Sequence, residues 1–100
     1  LGYKALYANT GSNNSAVGYS ALRQNTSGNT NTAVGDRALY SNTTASNNTA
    51  VGYQAGYSNT TGQEITAVGR FALYANTTGS NSTATGVQSL QSNTTGAGLV

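Results

Sequence analysis

The chain has 100 residues, of which 6% are charged, and a formal net charge of +2, where an ordinary soluble domain is about a quarter charged. Lys4, Arg23, Arg37 and Arg70 stand against Asp36 and Glu64, too sparse for a nucleic-acid footprint, which needs clustered Lys and Arg. With no Cys and no His there is no disulfide framework, no thiolate chemistry and no imidazole base. No apolar run approaches the roughly 20 residues of a membrane-spanning helix, so membrane insertion by this segment is not expected. A secretory leader pattern is also lacking. The chain opens at Leu1 inside a repeat and reads as an excerpt of a longer array.

The array is plain in the glycines. Gly18, Gly35, Gly52, Gly69 and Gly86 recur every 17 residues, and Gly2 precedes them by 16. Six units follow: 1–16, 17–33, 34–50, 51–67, 68–84 and 85–100. The first is one residue short, in its Asn9-Thr10-Gly11 turn. The last drifts, with Thr85 for Val, Val87 for Tyr and Ser89 for Ala, as terminal repeats do when they cap or hand over to another module. Richness in Asn, Thr, Ser and Gly suggests low complexity. A disordered tract, however, has no reason to hold Val, Leu and Gly in phase.

A unit of 17 is too short for a helical hairpin repeat, which needs more than about 30 residues. Thr, Val and Tyr punctuated by Asn and Gly fit short strands joined by turns. The expected fold is therefore all-β: a single parallel β-solenoid, or β-roll, with one unit per coil and coils about 4.8 Å apart.

Taken in order, the first strand of a coil is Thr66-Ala67-Val68 and its equivalents. Side chains alternate across a strand, so Thr and Val share one face and Ala and Gly the other. The Val face is expected inside: Val17, Val34, Val51 and Val68 form the core with Leu6, Leu22, Leu39, Leu73 and Leu90. The opposite face, Ala16, Ala33, Ala50 and Ala67 with Gly18, Gly35, Gly52 and Gly69, is small enough for another backbone to approach. It is expected to pack between chains, as a homotrimer or a homopolymer, because two large interior residues per coil make a thin core. A second strand is expected through Ala72-Leu73-Tyr74 and its equivalents. It faces Leu inward and Tyr outward.

Next comes a turn that keeps Asn9, Asn25, Asn42, Asn59, Asn76 and Asn93 in one column. Stacked side-chain amides bond up and down a strand stack, so an Asn ladder is expected there. Gly would supply a positive φ in this turn, although Ala45 takes that place once.

The motif Asn47-Asn48-Thr49-Ala50-Val51-Gly52-Tyr53-Gln54-Ala55 resembles the head repeats of trimeric autotransporter adhesins. The longer form through Ala72-Leu73-Tyr74-Ala75-Asn76-Thr77-Thr78-Gly79 is similar to repeats of phage and virus tail-fibre proteins. The resemblance covers the whole chain, most weakly from Thr85 onward. It implies a trimer of parallel β-rolls with the Ala and Gly strands toward the three-fold axis, and a role in display or attachment. The period of 17 and a Thr before Ala depart from the adhesin pattern.

Nothing points to catalysis. Asp36 and Glu64 fall in different columns, so no carboxylate pair is placed. No cluster of metal-ligating residues occurs, and no cofactor is implied. Thr43-Thr44, Thr60-Thr61, Thr77-Thr78 and Thr94-Thr95 raise ice binding, but adjacent Thr in a turn do not make the flat Thr-x-Thr strand that such a face needs. Tyr7, Tyr40, Tyr57 and Tyr74 form a column able to stack on itself or to meet a sugar, and Tyr3, Tyr19 and Tyr53 add a second. Asn-x-Ser/Thr sequons fall at Asn13, Asn25, Asn42, Asn47, Asn59, Asn76, Asn81 and Asn93. Those after the turn (Asn13, Asn47 and Asn81) are the better glycan acceptors.

The sequence thus reads as a non-enzymatic structural segment, shaft or head, of an extracellular fibre or adhesin at a cell or virion surface. Its variable positions, such as Lys4, Arg37, Gln54, Phe71 and Gln88, would meet a cell-surface glycan or receptor. A self-assembling filament and a glycan- or ice-binding solenoid are the alternatives.

Overall fold

The structure, a computed structural model, describes residues 1–100. It is all-β and contains no helix, hence none long and apolar enough to cross a membrane. Five three-residue strands, β1 (Ser15–Val17), β2 (Thr32–Val34), β3 (Thr49–Val51), β4 (Thr66–Val68) and β5 (Thr83–Thr85), form one parallel sheet in the order β1-β2-β3-β4-β5. Each strand pairs with the equivalent residues of the next: Ala33 with Ala50, Val34 with Val51. The fold is a β-solenoid whose coils repeat every 17 residues, about four turns from β1 to β5. Its extents are 29 × 21 × 16 Å.

The expected second strand is a run of turns instead. Leu22, Leu39, Leu73 and Leu90 all have positive φ, between 47° and 51°, a left-handed conformation costing an L-residue about 1–2 kcal/mol. The residue two places earlier is left-handed too, as at Ser20 (56°), Arg37 (57°) and Phe71 (62°). Amides in this segment alternate between two duties. Ala38, Tyr40 and Asn42 bond back three residues, to Gly35, Arg37 and Leu39, while Leu39 and Ser41 bond to Ala55 and Tyr57 of the next coil. Alternate residues therefore close β-turns, and the others tie coil to coil. Only 8 of the 63 backbone hydrogen bonds lie within strands, so most of the bonds that join coil to coil come from residues outside the strands.

What makes left-handed Leu tolerable is where it points. Leu22, Leu39 and Leu73 are fully buried, and burying a Leu contributes about 1.5–3 kcal/mol, enough to offset the backbone term. Ala21, Ala38, Ala55 and Ala72 are buried beside them. Leu6 and Leu90, near the two ends, are only partly buried against this core.

The strand faces the other way round from the expectation. Ala33, Ala50 and Ala67 are 0% exposed, while Val17, Val34, Val51 and Val68 are 36–44% exposed. Ala16 is also buried. The Val column is therefore not core, and the Ala column is not an inter-chain surface. Volume is the reason. The interior of one coil already holds a Leu side chain and two carboxamide side chains, which leaves space behind the strand for a methyl group only.

Gly18, Gly35, Gly52 and Gly69 are likewise spent within the chain. Their φ lies between 128° and 133°, and a Cβ on any of them would come within 2.8 Å of the backbone of the next coil's glycine. Backbone thus stacks on backbone inside the solenoid. Gly28, Gly62 and Gly79 in the Asn turn, by contrast, do not have positive φ, which corrects the role expected for them.

Candidate functional site

Three surfaces and one buried ladder account for the sequence-predicted residues. The ladder is the Asn column. Asn25, Asn42, Asn59 and Asn76 are fully buried. Each Nδ2 donates to the Oδ1 of the equivalent Asn one coil earlier, at 2.6 Å from Asn25 to Asn9, 2.8 Å from Asn42, 3.0 Å from Asn59 and 2.9 Å from Asn76. Asn93 adds a further rung at 2.9 Å. The second Nδ2 proton goes to a turn carbonyl three residues on, such as Ala45 O at 3.1 Å or Gly62 O at 2.9 Å. Both amide hydrogens are used, which a buried carboxamide needs if its desolvation is to be offset.

A second column, Asn14, Asn31 and Asn48, went unrecognised in the sequence. Its carbonyls accept the backbone amides of Asn31, Asn48 and Ile65 one coil on, at 2.8, 3.0 and 2.9 Å. Asn48 Nδ2 also donates to Asn42 Oδ1 at 3.2 Å, joining the two columns. The signal was present: Asn14, Asn31 and Asn48 are 17 residues apart, each just before a strand.

The first surface is the outer face of the sheet. Ser15, Thr32, Thr49, Thr66 and Thr83 lie in one column, and Val17, Val34, Val51, Val68 and Thr85 in a second. Neither column contains a charge. The second surface is the turn Thr column, which is turned inward on itself. The hydroxyls of Thr10, Thr26, Thr43, Thr60 and Thr77 each donate to the backbone carbonyl of the next Thr, at 2.8–3.4 Å. Of the expected Thr-Thr pairs, Thr43-Thr44, Thr60-Thr61 and Thr77-Thr78 thus lose their first hydroxyl to the backbone.

The third surface carries the aromatic rings. Tyr40, Tyr57 and Tyr74 stack in a row at 5.1 and 5.2 Å, with interplanar angles of 5° and 11°. Tyr3 stacks on Tyr19 at 5.5 Å. Phe71 meets Tyr53 and Tyr74 edge-on. Tyr7 belongs to this surface through Lys4, whose Nζ lies 5.3 Å from its ring. The other cations also lie over rings: Arg23 over Tyr40, Arg37 over Tyr19 and Arg70 over Phe71, at 5.9, 5.1 and 4.9 Å. Because the faces of the stacked Tyr rings cover one another, their edges and hydroxyls face outward.

Of the sequons, Asn25, Asn42, Asn59 and Asn76 are sealed in the ladder, whereas Asn13, Asn47 and Asn81 are exposed. Asp36 sits 3.3 Å from Arg37.

Comparison with protein families, with curated proteins and with solved structures finds no match to this chain. The parallel β-solenoid therefore defines its class, and its surfaces are the basis for reading what it does.

Proposed function

We propose that this chain is a stiff structural segment of an extracellular fibre or adhesin at a cell or virion surface. In this reading a six-coil array associates as a parallel trimer, and its role is display and attachment rather than catalysis. The observation that carries the proposal is the exposed Val column on an uncharged sheet face. The core closes without these side chains, since Ala fills the strand's inner side. Four Val at 36–44% exposure, in register and flanked by Thr, make an apolar stripe along the rod, of the kind that protein association covers. A second copy with the same 17-residue repeat meets that stripe rung by rung. The inter-chain surface proposed here is therefore Val and Thr, in place of Ala and Gly.

Sedimentation equilibrium of the wild type and of Val34→Asp with Val51→Asp tests this. A wild-type trimer and a monomeric variant of unchanged circular dichroism are expected. A wild-type monomer at high concentration overturns the assembly.

A second reading rests on the same face. The outward residues alternate as Thr-x-Val, and as Thr-x-Thr at Thr83 and Thr85, the pattern a flat ice-binding strand needs. A monomer showing thermal hysteresis favours it, and no hysteresis at high concentration eliminates it.

A further inference from the structure

We propose that the aromatic and cationic surface is a docking strip for an acidic polysaccharide lying along the solenoid axis. The inference names a partner for the attachment role above and rests on that reading, but it does not need the chains to associate.

All four cations and all eight aromatic rings of the chain take part in the ring contacts of this surface. Of the two carboxylates only Asp36 is here, paired with Arg37. Glu64 lies in the column of Asn13, Thr30, Asn47 and Asn81, between the Asn turn and the strand. The surface is thus net cationic although the chain is almost neutral. Lys4, Arg23 and Arg70 are held against rings without a carboxylate partner. A cation resting on a ring keeps N–H groups free for an anion, and an ionised acceptor makes the stronger hydrogen bond.

The shape of the strip selects the partner. The ring and cation contacts run from coil to coil along the rod, from Arg23 over Tyr40 to Arg70 over Phe71, a linear surface that an extended chain fits. Three successive coils each present a ring, Tyr40, Tyr57 and Tyr74, with centroids 5.1–5.2 Å apart, so a chain lying along the axis meets the same group coil after coil. Nucleobases need open ring faces on which to stack, and those of the central Tyr row are covered by their neighbours. What this row offers instead is phenol hydroxyls, which suit sugar hydroxyls and carboxylates.

The test is calorimetric titration with polygalacturonate, neutral dextran and a short oligothymidylate, at low and at physiological salt. Polygalacturonate is expected to bind and to weaken as salt rises, with dextran silent and oligothymidylate weaker. Arg23→Gln with Arg70→Gln is expected to reduce the affinity about tenfold and to lower the salt slope by about two. Glu64→Gln is expected to leave affinity within about twofold, since it lies off the strip. Circular dichroism confirms that each variant folds. The inference is overturned if polygalacturonate does not bind, if dextran or oligothymidylate binds as well, or if the double Arg variant binds unchanged. Sedimentation in the same buffer separates the two proposals: a monomer that binds polygalacturonate retains this one and defeats the trimer.

Discussion

Ile65 Cδ1 lies 3.7 Å from the place a Cβ on Gly56 would take. Both residues are exceptions in their columns. Gly56 stands where the other coils have Leu, and Ile65 stands where earlier coils have Asn14, Asn31 and Asn48. One coil has lost a Leu and regained its volume from the opposite wall, at the cost of one amide in the second ladder. Gly56→Leu alone should clash, because its Cβ would already be 3.0 Å from Leu39 Cδ2, and should destabilise by about 1–3 kcal/mol. Ile65→Asn alone should open a cavity and cost about 2–4 kcal/mol. Together they restore the arrangement of the preceding coil, Leu39 with Asn48. A double-mutant cycle by urea denaturation should give a favourable coupling of at least about 1 kcal/mol. Simple additivity would mean that the two sites do not share space.

The glycine column gives an internal control. Gly52 has φ 133°, and a Cβ there would lie 2.7 Å from Gly69 O and C. Gly86 has φ 117° but nothing within 4 Å of an added Cβ. Gly52→Ala should therefore suffer backbone strain and a clash with backbone that cannot move aside. Gly86→Ala should suffer strain alone, of order 1–3 kcal/mol. The thermal midpoint should fall clearly further for Gly52→Ala. Equal shifts would show that conformation, and not close approach, keeps the column glycine.

The Asn ladder should be strongest in its middle. Asn59→Ala removes the donor to Asn42 Oδ1 and to Gly62 O, and strips Asn76 Nδ2 of its acceptor. With these groups buried, a loss of about 2–4 kcal/mol is expected. Asn93→Ala, at a partly buried rung, should cost less than half as much because water can replace the lost partner. Chemical denaturation of both variants checks the order. If Asn93→Ala costs as much as Asn59→Ala, burial is not what gives the ladder its strength.

How far the fold could be read from the sequence follows from what a column can and cannot reveal. The period, the all-β class and the coil-on-coil stacking are legible, because Gly18 through Gly86 keep strict phase and 17 residues cannot close a helical repeat. The facing of β1–β5 is not. Alternation divides Thr-Ala-Val into two faces without saying which is inner, and hydrophobicity alone chooses Val. The deciding fact is the volume left behind the strand by Leu39 and the two Asn columns, which exists only once the coil is closed. The turn run reads as a strand because Tyr favours extended backbone and Leu alternates with it, and left-handed Leu is uncommon enough that no local signal announces it. The ring surface was visible as Tyr columns, but the gathering of Lys4, Arg23, Arg37 and Arg70 around them was not, because those cations occupy three different columns.

That reversed facing makes the strand itself a sharp test. Ala67 is 0% exposed and Val68 36%, so adjacent substitutions should report on different levels of structure. Ala67→Leu forces extra side-chain carbons into a filled interior and should destabilise the fold by about 1–3 kcal/mol or more, whatever the oligomeric state. Val68→Ala removes half-exposed methyl groups and should change the isolated chain by less than about 1 kcal/mol. If the sheet face joins chains, Val68→Ala should instead lower the association constant, an effect that disappears on dilution to monomer. Denaturation at several protein concentrations separates the two. A Val68→Ala penalty as large as that of Ala67→Leu at every concentration would return Val68 to the core and remove the basis of the proposed interface.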